Sequence, residues 1–307
     1  MGSSYLTPTY CPDQGSGVRE GICSAAPQGK LLSELSLLPG EGYNAATGGW
    51  HMPSSSMIRP YRWLAQYYDE LFSFHRVPFD AAREHILGRI LPHVETACDL
   101  ACGTGTTALL LARQGIKMYG VDLSPWMCRL ARRKAERAGL TVRVLRADMR
   151  SFRLPEKVDL ITCEFDALNH VPRSMDLRRV ARAVGRALRP GGHFFFDVNN
   201  SKGFKRFWSR TLWFEKADVV MVMRNGHNRQ ADRARSDIEW FFREGRYWRR
   251  QHERVEEVCW SSSEVRRTLR DAGFDPVRAW DATPFFEHNP LIRPGCRTVY
   301  LARKSRG

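Results

Sequence analysis

The sequence predicts an α/β protein: a doubly wound, mostly parallel sheet carrying an inserted antiparallel β subdomain. Between Thr96 and Val198, short apolar runs alternate with helix-length amphipathic segments, the rhythm of parallel strands joined by crossover helices. The first run empties into a glycine turn, Ala101-Cys102-Gly103-Thr104-Gly105, that leads directly into a helix. From about Phe204 to Trp260 the period changes to two, with breaks at Asn225-Gly226 and Glu244-Gly245, the pattern of hairpins.

Composition sets the limits. With 43% hydrophobic residues in 307, the chain can bury a sizeable core. The net charge of +15 raises nucleic acid as a partner, but the forty arginines and eight lysines are spread over every segment rather than gathered into a tract. Eight cysteines lie without CxxC or Cys/His ligand spacing, so no metal site is expected. Cys98, Cys102 and Cys163 fall on or beside apolar strands, as suits a reducing compartment. No apolar run approaches a membrane span, and no basic segment followed by an apolar one opens the chain, so a cytoplasmic location without membrane attachment is expected.

Residues 1–56 are rich in Gly, Ser and Pro and read as a disordered leader, with one turn of helix at most over Leu31 to Leu38. Order is expected from Tyr61, where Trp63, Tyr67 and Leu71 recur at helical spacing with Tyr68 and Phe72 on an adjoining line. Pro78 opens a second helix with Ile86, Ile90 and Leu87, Leu91 as its stripe, closed by Pro92. Thr96 to Leu100 is a buried strand, and Thr106 to Gln114 a helix stopped by Gly115. Lys117 to Val121 is a second strand ending in Asp122. Ser124 caps and Pro125 begins a helix running through Ala138. Thr141 to Leu145 and Val158 to Cys163 follow as strands, then a helix from Leu177 to Leu188, and His193 to Val198 as the fifth strand. After the hairpins come a helix from Ser263 to Ala272 and strands at Phe274 to Trp280 and Arg297 to Ala302. The wound domain is therefore 57–203 with 261–307, and the insertion is 204–260.

A G-x-G-x-x-A turn by itself fits a dinucleotide site, another nucleotide site, or a tight turn. The wider context narrows it. DLACGTG at 99–105, VDLS at 121–124, ADM at 147–149, CEFDALNH at 163–170 and LRPGGHFFFDV at 188–198 stand in one order at fixed separations. In this the chain resembles the class I S-adenosylmethionine-dependent methyltransferases over Tyr61 to Lys304. The resemblance implies a seven-stranded Rossmann-like sheet and S-adenosyl-L-methionine as cofactor. It implies that Ala101, Gly103, Thr104 and Gly105 lie against the methionine portion and ribose, with Asp99 near the ammonium. Asp122 would take the ribose diol, Asp148 the adenine amine, and Leu123 and Met149 the two faces of the ring. Tyr68, in a Tyr-Asp pair on the first helix, would close over the cofactor.

Glu164 and Phe165 are expected between cofactor and substrate, with Asn169 and His170 touching the methyl acceptor. His170 has the pKa range for taking a proton. The resemblance implies that the insertion, with Trp208, Trp213, Phe214, Trp240, Phe241, Tyr247 and Trp248 mostly as its own core, lies over the acceptor pocket, and a dimerisation surface is the equal alternative. The expected reaction is methyl transfer to an N or O atom of a small molecule by a monomer or homodimer. RNA or tRNA methylation is the alternative, and NAD(P)-linked oxidoreduction a weaker one, since LRPGG is foreign to such a domain.

Overall fold

The computed structural model describes residues 61–72, 76–208, 211–230, 232–285 and 295–306, together with the backbone pairing of Tyr43–Asn44 with Gly49–Trp50. The remainder of the expected leader, 1–56, lies outside the described residues. Helices α1 (Leu64–Leu71) and α2 (Arg76–Leu87) precede a wound unit. That unit runs β1 (Thr96–Leu100), α3 (Thr106–Ala112), β2 (Lys117–Asp122), α4 (Pro125–Arg137), β3 (Val142–Arg146), β4 (Val158–Cys163), α5 (Ser174–Ala187) and β5 (Leu188–Asn199). After α6 (Ser201–Phe207) come β6 (Thr211–Lys216), β7 (Val219–Asn228), β8 (Arg233–Glu244) and β9 (Tyr247–Val258). Helix α7 (Ser262–Asp271), β10 (Phe274–Asp281) and β11 (Arg297–Lys304) complete the chain.

The seven-stranded sheet has the order β10-β11-β5-β4-β1-β2-β3. β1 to β5 are mutually parallel, and β11 enters antiparallel between β5 and β10. Every residue of β1 is buried, as expected of a central strand covered on both faces. Phe196 of β5 is in register with Tyr300 of β11, and their rings stack at 4.9 Å, a cross-strand aromatic pair at the centre of the core. Strand order reverses between β1 and β4, so the crevice at their C-terminal ends is where a ligand is accommodated in a sheet of this kind.

The β6–β9 strands form their own antiparallel sheet in the order β9-β8-β7-β6. The chain divides into two compact units. The larger contains 59–212, 223–238 and 253–307; the other contains Trp213–Val222 and Glu239–His252. Of the insertion's aromatics, Trp240 is fully buried and Trp208 stacks on Phe204, whereas Trp213 and Tyr247 are exposed.

Two helices depart from expectation. Helix α2 stops at Leu87 instead of reaching Leu91, because Gly88 costs about 1 kcal/mol in a helix interior and Pro92 stands too close for the segment to recover. Its buried face is Phe79, Ala82, Arg83 and Leu87; of the expected stripe Leu87 is fully buried and Ile86 half-buried, while Ile90 and Leu91 pack half-buried on the same core from beyond the end of the helix. Helix α1 turns Leu64, Ala65 and Leu71 inward, and its first N–H groups are capped by Glu253 of β9, which accepts from Trp63 N at 2.7 Å and Leu64 N at 3.0 Å. Among the described residues no helix is long and apolar enough to cross a membrane, and no His/Cys/Asp/Glu group is arranged to hold a metal ion.

The two turn glycines serve different ends. Gly103 has φ +53° with open space where a Cβ would stand, while Gly105 has φ +83° and a Cβ there would lie 2.9 Å from the Ala131 side chain of α4. Gly105→Ala should therefore destabilise the protein by about 2–3 kcal/mol, and Gly103→Ala by about 1 kcal/mol, in equilibrium denaturation. Equal losses at the two positions would refute the packing argument for Gly105.

Candidate active site

The motif residues converge at the C-terminal ends of β1 to β4. Asp122, at the tip of β2, accepts from Gly103 N at 2.9 Å and Ser124 N at 2.8 Å. One carboxylate thus fastens the glycine turn to the start of α4. Burial raises its pKa, and these backbone donors oppose the rise. Leu123 beside it is 59% exposed, an apolar side chain left uncovered at a strand tip. Ala101 takes the left-handed conformation at φ +57°, so the turn is sharp before it reaches the glycines. Asp148 is gripped by Arg150, which donates through its backbone N–H at 2.8 Å and its guanidinium at 2.6 Å, holding the carboxyl below its usual range. Met149 packs partly into the core alongside it.

Asp99 lies beneath the turn, 3% exposed, and accepts from Thr162 Oγ1 at 2.9 Å. Burial, aided by nearby Glu164, pushes its carboxyl up to about 7. Glu164 accepts from Arg83 Nε at 2.6 Å and Thr107 Oγ1 at 3.0 Å, both within the protein interior. The side chain, expected between cofactor and substrate, ties α2 and α3 to β4. Phe165, at φ +60°, turns its ring onto Phe79 at 4.5 Å.

Helix α1 is latched to the turn. Asp69 accepts from Thr104 Oγ1 at 2.5 Å and from Lys134 Nζ at 2.7 Å, and Lys134 also donates to Thr104 and Thr106. The adjacent Tyr68 is turned inward, with its ring 4.9 Å from Phe72 and 6.3 Å from Tyr61. Burial, followed by Asp166, Asp122 and Asp69, raises its hydroxyl pKa.

Beyond β4 the residues separate into two kinds. Asn169 is fully buried, donating to Asn199 O and Val258 O and accepting from Asn199 N at 3.0 Å. The amide, expected to touch the acceptor, brackets β5 to β9 with these bonds. His170 meets Tyr61 Oη at Nε2 (3.0 Å) and the Glu256 carbonyl at Nδ1 (3.2 Å). The carbonyl can only accept, so Nδ1 carries the proton and Nε2 accepts from Tyr61. Burial lowers the His170 pKa, which keeps the ring neutral.

Several residues that sequence reasoning did not single out complete the site. Arg297 of β11, 6% exposed, is paired with Asp197 and lies 3.3 Å from Asp166. Glu257 is buried beside them with Oε2 unpartnered, and its pKa is raised by burial, then by Asp166. Asp166 lay inside a recognised motif block. Asp197 likewise lay inside the LRPGGHFFFDV block, whereas Tyr61, Glu257 and Arg297 come from three distant segments and no local spacing marks them.

Asn169→Ala should cost about 3 kcal/mol in denaturant unfolding, since it leaves buried backbone groups unpaired, while leaving cofactor affinity intact. An unchanged stability would refute its bracketing role. Asp99 provides a pH signature. Its folded-state pKa of about 7 exceeds that of the unfolded chain, so its contribution to stability is complete below about pH 4 and is lost as pH rises towards 7. Asp99→Asn should flatten that decline in melts at stepped pH; an unaltered slope would contradict it.

Comparisons with known proteins agree on the class. Residues 97–192 match the family model described as a methyltransferase domain. A Bacillus subtilis (strain 168) protein named as a methyltransferase, YqeM, is 28% identical over 248 residues, covering 80% of this chain and 98% of the relative. Among solved structures, the sugar N-methyltransferase KedS8 from Streptoalloteichus sp ATCC 53650 superposes with TM-score 0.64 at 21% identity, over 84% of this chain and 98% of that one. SAM-bound CalS10, an amino pentose methyltransferase from Micromonospora echinaspora, gives TM-score 0.60 at 22% identity, over 79% and 96%. At those identities the two structures speak to the fold alone. With five ordered motifs, a seven-stranded sheet reversing between β1 and β4, and a methyltransferase-domain match over its core, the chain is a class I S-adenosylmethionine-dependent methyltransferase.

Proposed function

We propose that the enzyme methylates a nitrogen or oxygen of a small molecule, and that an amine is the better match to its surroundings. When bound, S-adenosylmethionine supplies a sulfonium methyl that an acceptor lone pair attacks in line, the C–S electron pair returning to sulfur as S-adenosylhomocysteine leaves. Asp122 would hold the ribose diol, for which its tip position and fixed backbone donors orient it. Leu123, exposed at the strand tip, and Met149 would cover the faces of the adenine, with Asp148 accepting from the exocyclic amine. Gly103 presents bare backbone with open space in front of it, which supports close approach of the methionine portion. Asp99 would receive the ammonium from below, and Tyr68 would bring an aromatic face towards the sulfonium.

The acceptor side is built from Tyr61, Asp166, His170, Glu257 and Arg297. Tyr61 is hydrogen-bonded to a neutral His170, so its hydroxyl can pass a proton to Nε2 as it receives one from an acceptor. Three buried or half-buried carboxylates, Asp166, Asp197 and Glu257, face one guanidinium, Arg297. That surplus of carboxyl groups, which an arriving cation would help to ionise, is the observation that favours a basic nitrogen over a hydroxyl. The sugar N-methyltransferase and amino pentose methyltransferase neighbours agree with an amine acceptor.

Calorimetry with S-adenosylmethionine should show at least about tenfold weaker binding for Asp122→Ala, roughly 1.4 kcal/mol. Unaltered affinity would refute the placement of the ribose. Labelled-methyl assays against amino sugars, matched hydroxy sugars and RNA should give turnover with the amines; turnover only with hydroxyls or RNA would overturn the amine reading.

A further inference from the structure

Arg83 belongs to α2, outside every motif of the cofactor site and before the matched methyltransferase domain at 97–192. An arginine only 4% exposed in an otherwise apolar helix face calls for an explanation. Its Nε donates to Glu164 Oε1 at 2.6 Å and its Nη2 to Asp80 Oδ1 at 2.6 Å. Strand register brings a further carboxylate close to this cluster. Asp99 of β1 is paired with Thr162 of β4, and Thr162 Oγ1 donates to it at 2.9 Å. Glu164, two residues further along, has its carboxylate near Asp99 and raises the Asp99 pKa. Two buried carboxylates thus share a small volume below the glycine turn, with Arg83 as the cation drawing on both.

We propose that Arg83 is a positioning residue for cofactor binding: by pairing with Glu164 it screens that charge and leaves Asp99 free to ionise against the cofactor's ammonium. The other groups facing Asp99 do not replace it. Cys98, Cys102 and Cys163 are buried thiols held neutral by burial, Thr162 and the Ala108 N–H are uncharged donors, and Asp80 is already engaged by Arg83. Without Arg83, Glu164 and Asp99 would compete for ionisation, and a proton would stay on Asp99 to higher pH.

The inference rests on Asp99 receiving the ammonium, which Asp99→Asn examines by itself: that variant should lose affinity for S-adenosylmethionine and the acidic limb of its pH dependence together. The deciding measurement is calorimetric binding of S-adenosylmethionine to the intact protein from about pH 5.5 to 7.5, below the range where an α-amino group deprotonates. Wild-type affinity should rise through this range. Arg83→Met should shift the rise upward by about one pH unit and weaken binding about tenfold near pH 7. Adding Glu164→Gln to that variant should restore the wild-type limb, a rescue that a merely structural arginine would not show. An unmoved limb in Arg83→Met, or no rescue by Glu164→Gln, overturns the proposal. Should Arg83→Met fail to fold, Glu164→Gln alone decides: its limb should move to lower pH, and a limb that stays in place is equally fatal.

Discussion

The Asp122 carboxylate, bonded to the backbone of both Gly103 and Ser124, is the constraint on which the site depends. It joins the end of β2 to the turn after β1 and to the first turn of α4. Those three pieces meet because parallel strands deliver their C-terminal ends to one edge, and because Gly105 lets α3 pack against Ala131 of α4. The turn is not simply loose backbone. It is pinned from one side by Asp122 and, through Thr104, Asp69 and Lys134, from the other by helix α1.

Around that turn the protein buries more carboxyl groups than cationic side chains. Asp99 and Glu164 lie below it with Arg83, while Asp166, Asp197 and Glu257 lie beside it with Arg297. Burying unbalanced carboxylates is expensive, and the chain limits the cost with hydrogen bonds from Thr107, Thr162 and Asn199 and with burial-raised pKa values that keep protons available. What remains is a site electrostatically suited to the cationic sulfonium and ammonium of the cofactor. The neutral His170, fixed in one tautomer by the Glu256 carbonyl, adds a proton acceptor without adding charge.

The boundaries of β1, β2, β4 and α4 were legible within a residue or two because apolar runs, Ser124-Pro125 and the stop at Gly139 are local signals. The end of α2 was not, because an apolar stripe can continue in sequence past a glycine that ends the helix in space. The position of Asp122 at the tip of β2 was legible from the end of an apolar run, and Asp148 stood out only as part of the ADM block of the family resemblance. The role of Asn169 could not: its neighbour His170 looks equally polar in sequence, yet one side chain is consumed by the backbone of β5 and β9 and the other faces Tyr61.

Sequence alone determined the wound sheet, which periodicity and glycine stops write locally, and through the ordered set of motifs that carry the family resemblance it determined the cofactor class. Tertiary structure alone decided the charge balance. The pairing of Arg297 with Asp197, of Arg83 with Glu164, and of Tyr61 with His170 joins residues 81 to 109 positions apart. Such contacts depend on which strands neighbour one another and at what register, a property of the whole sheet that no local stretch of chain encodes.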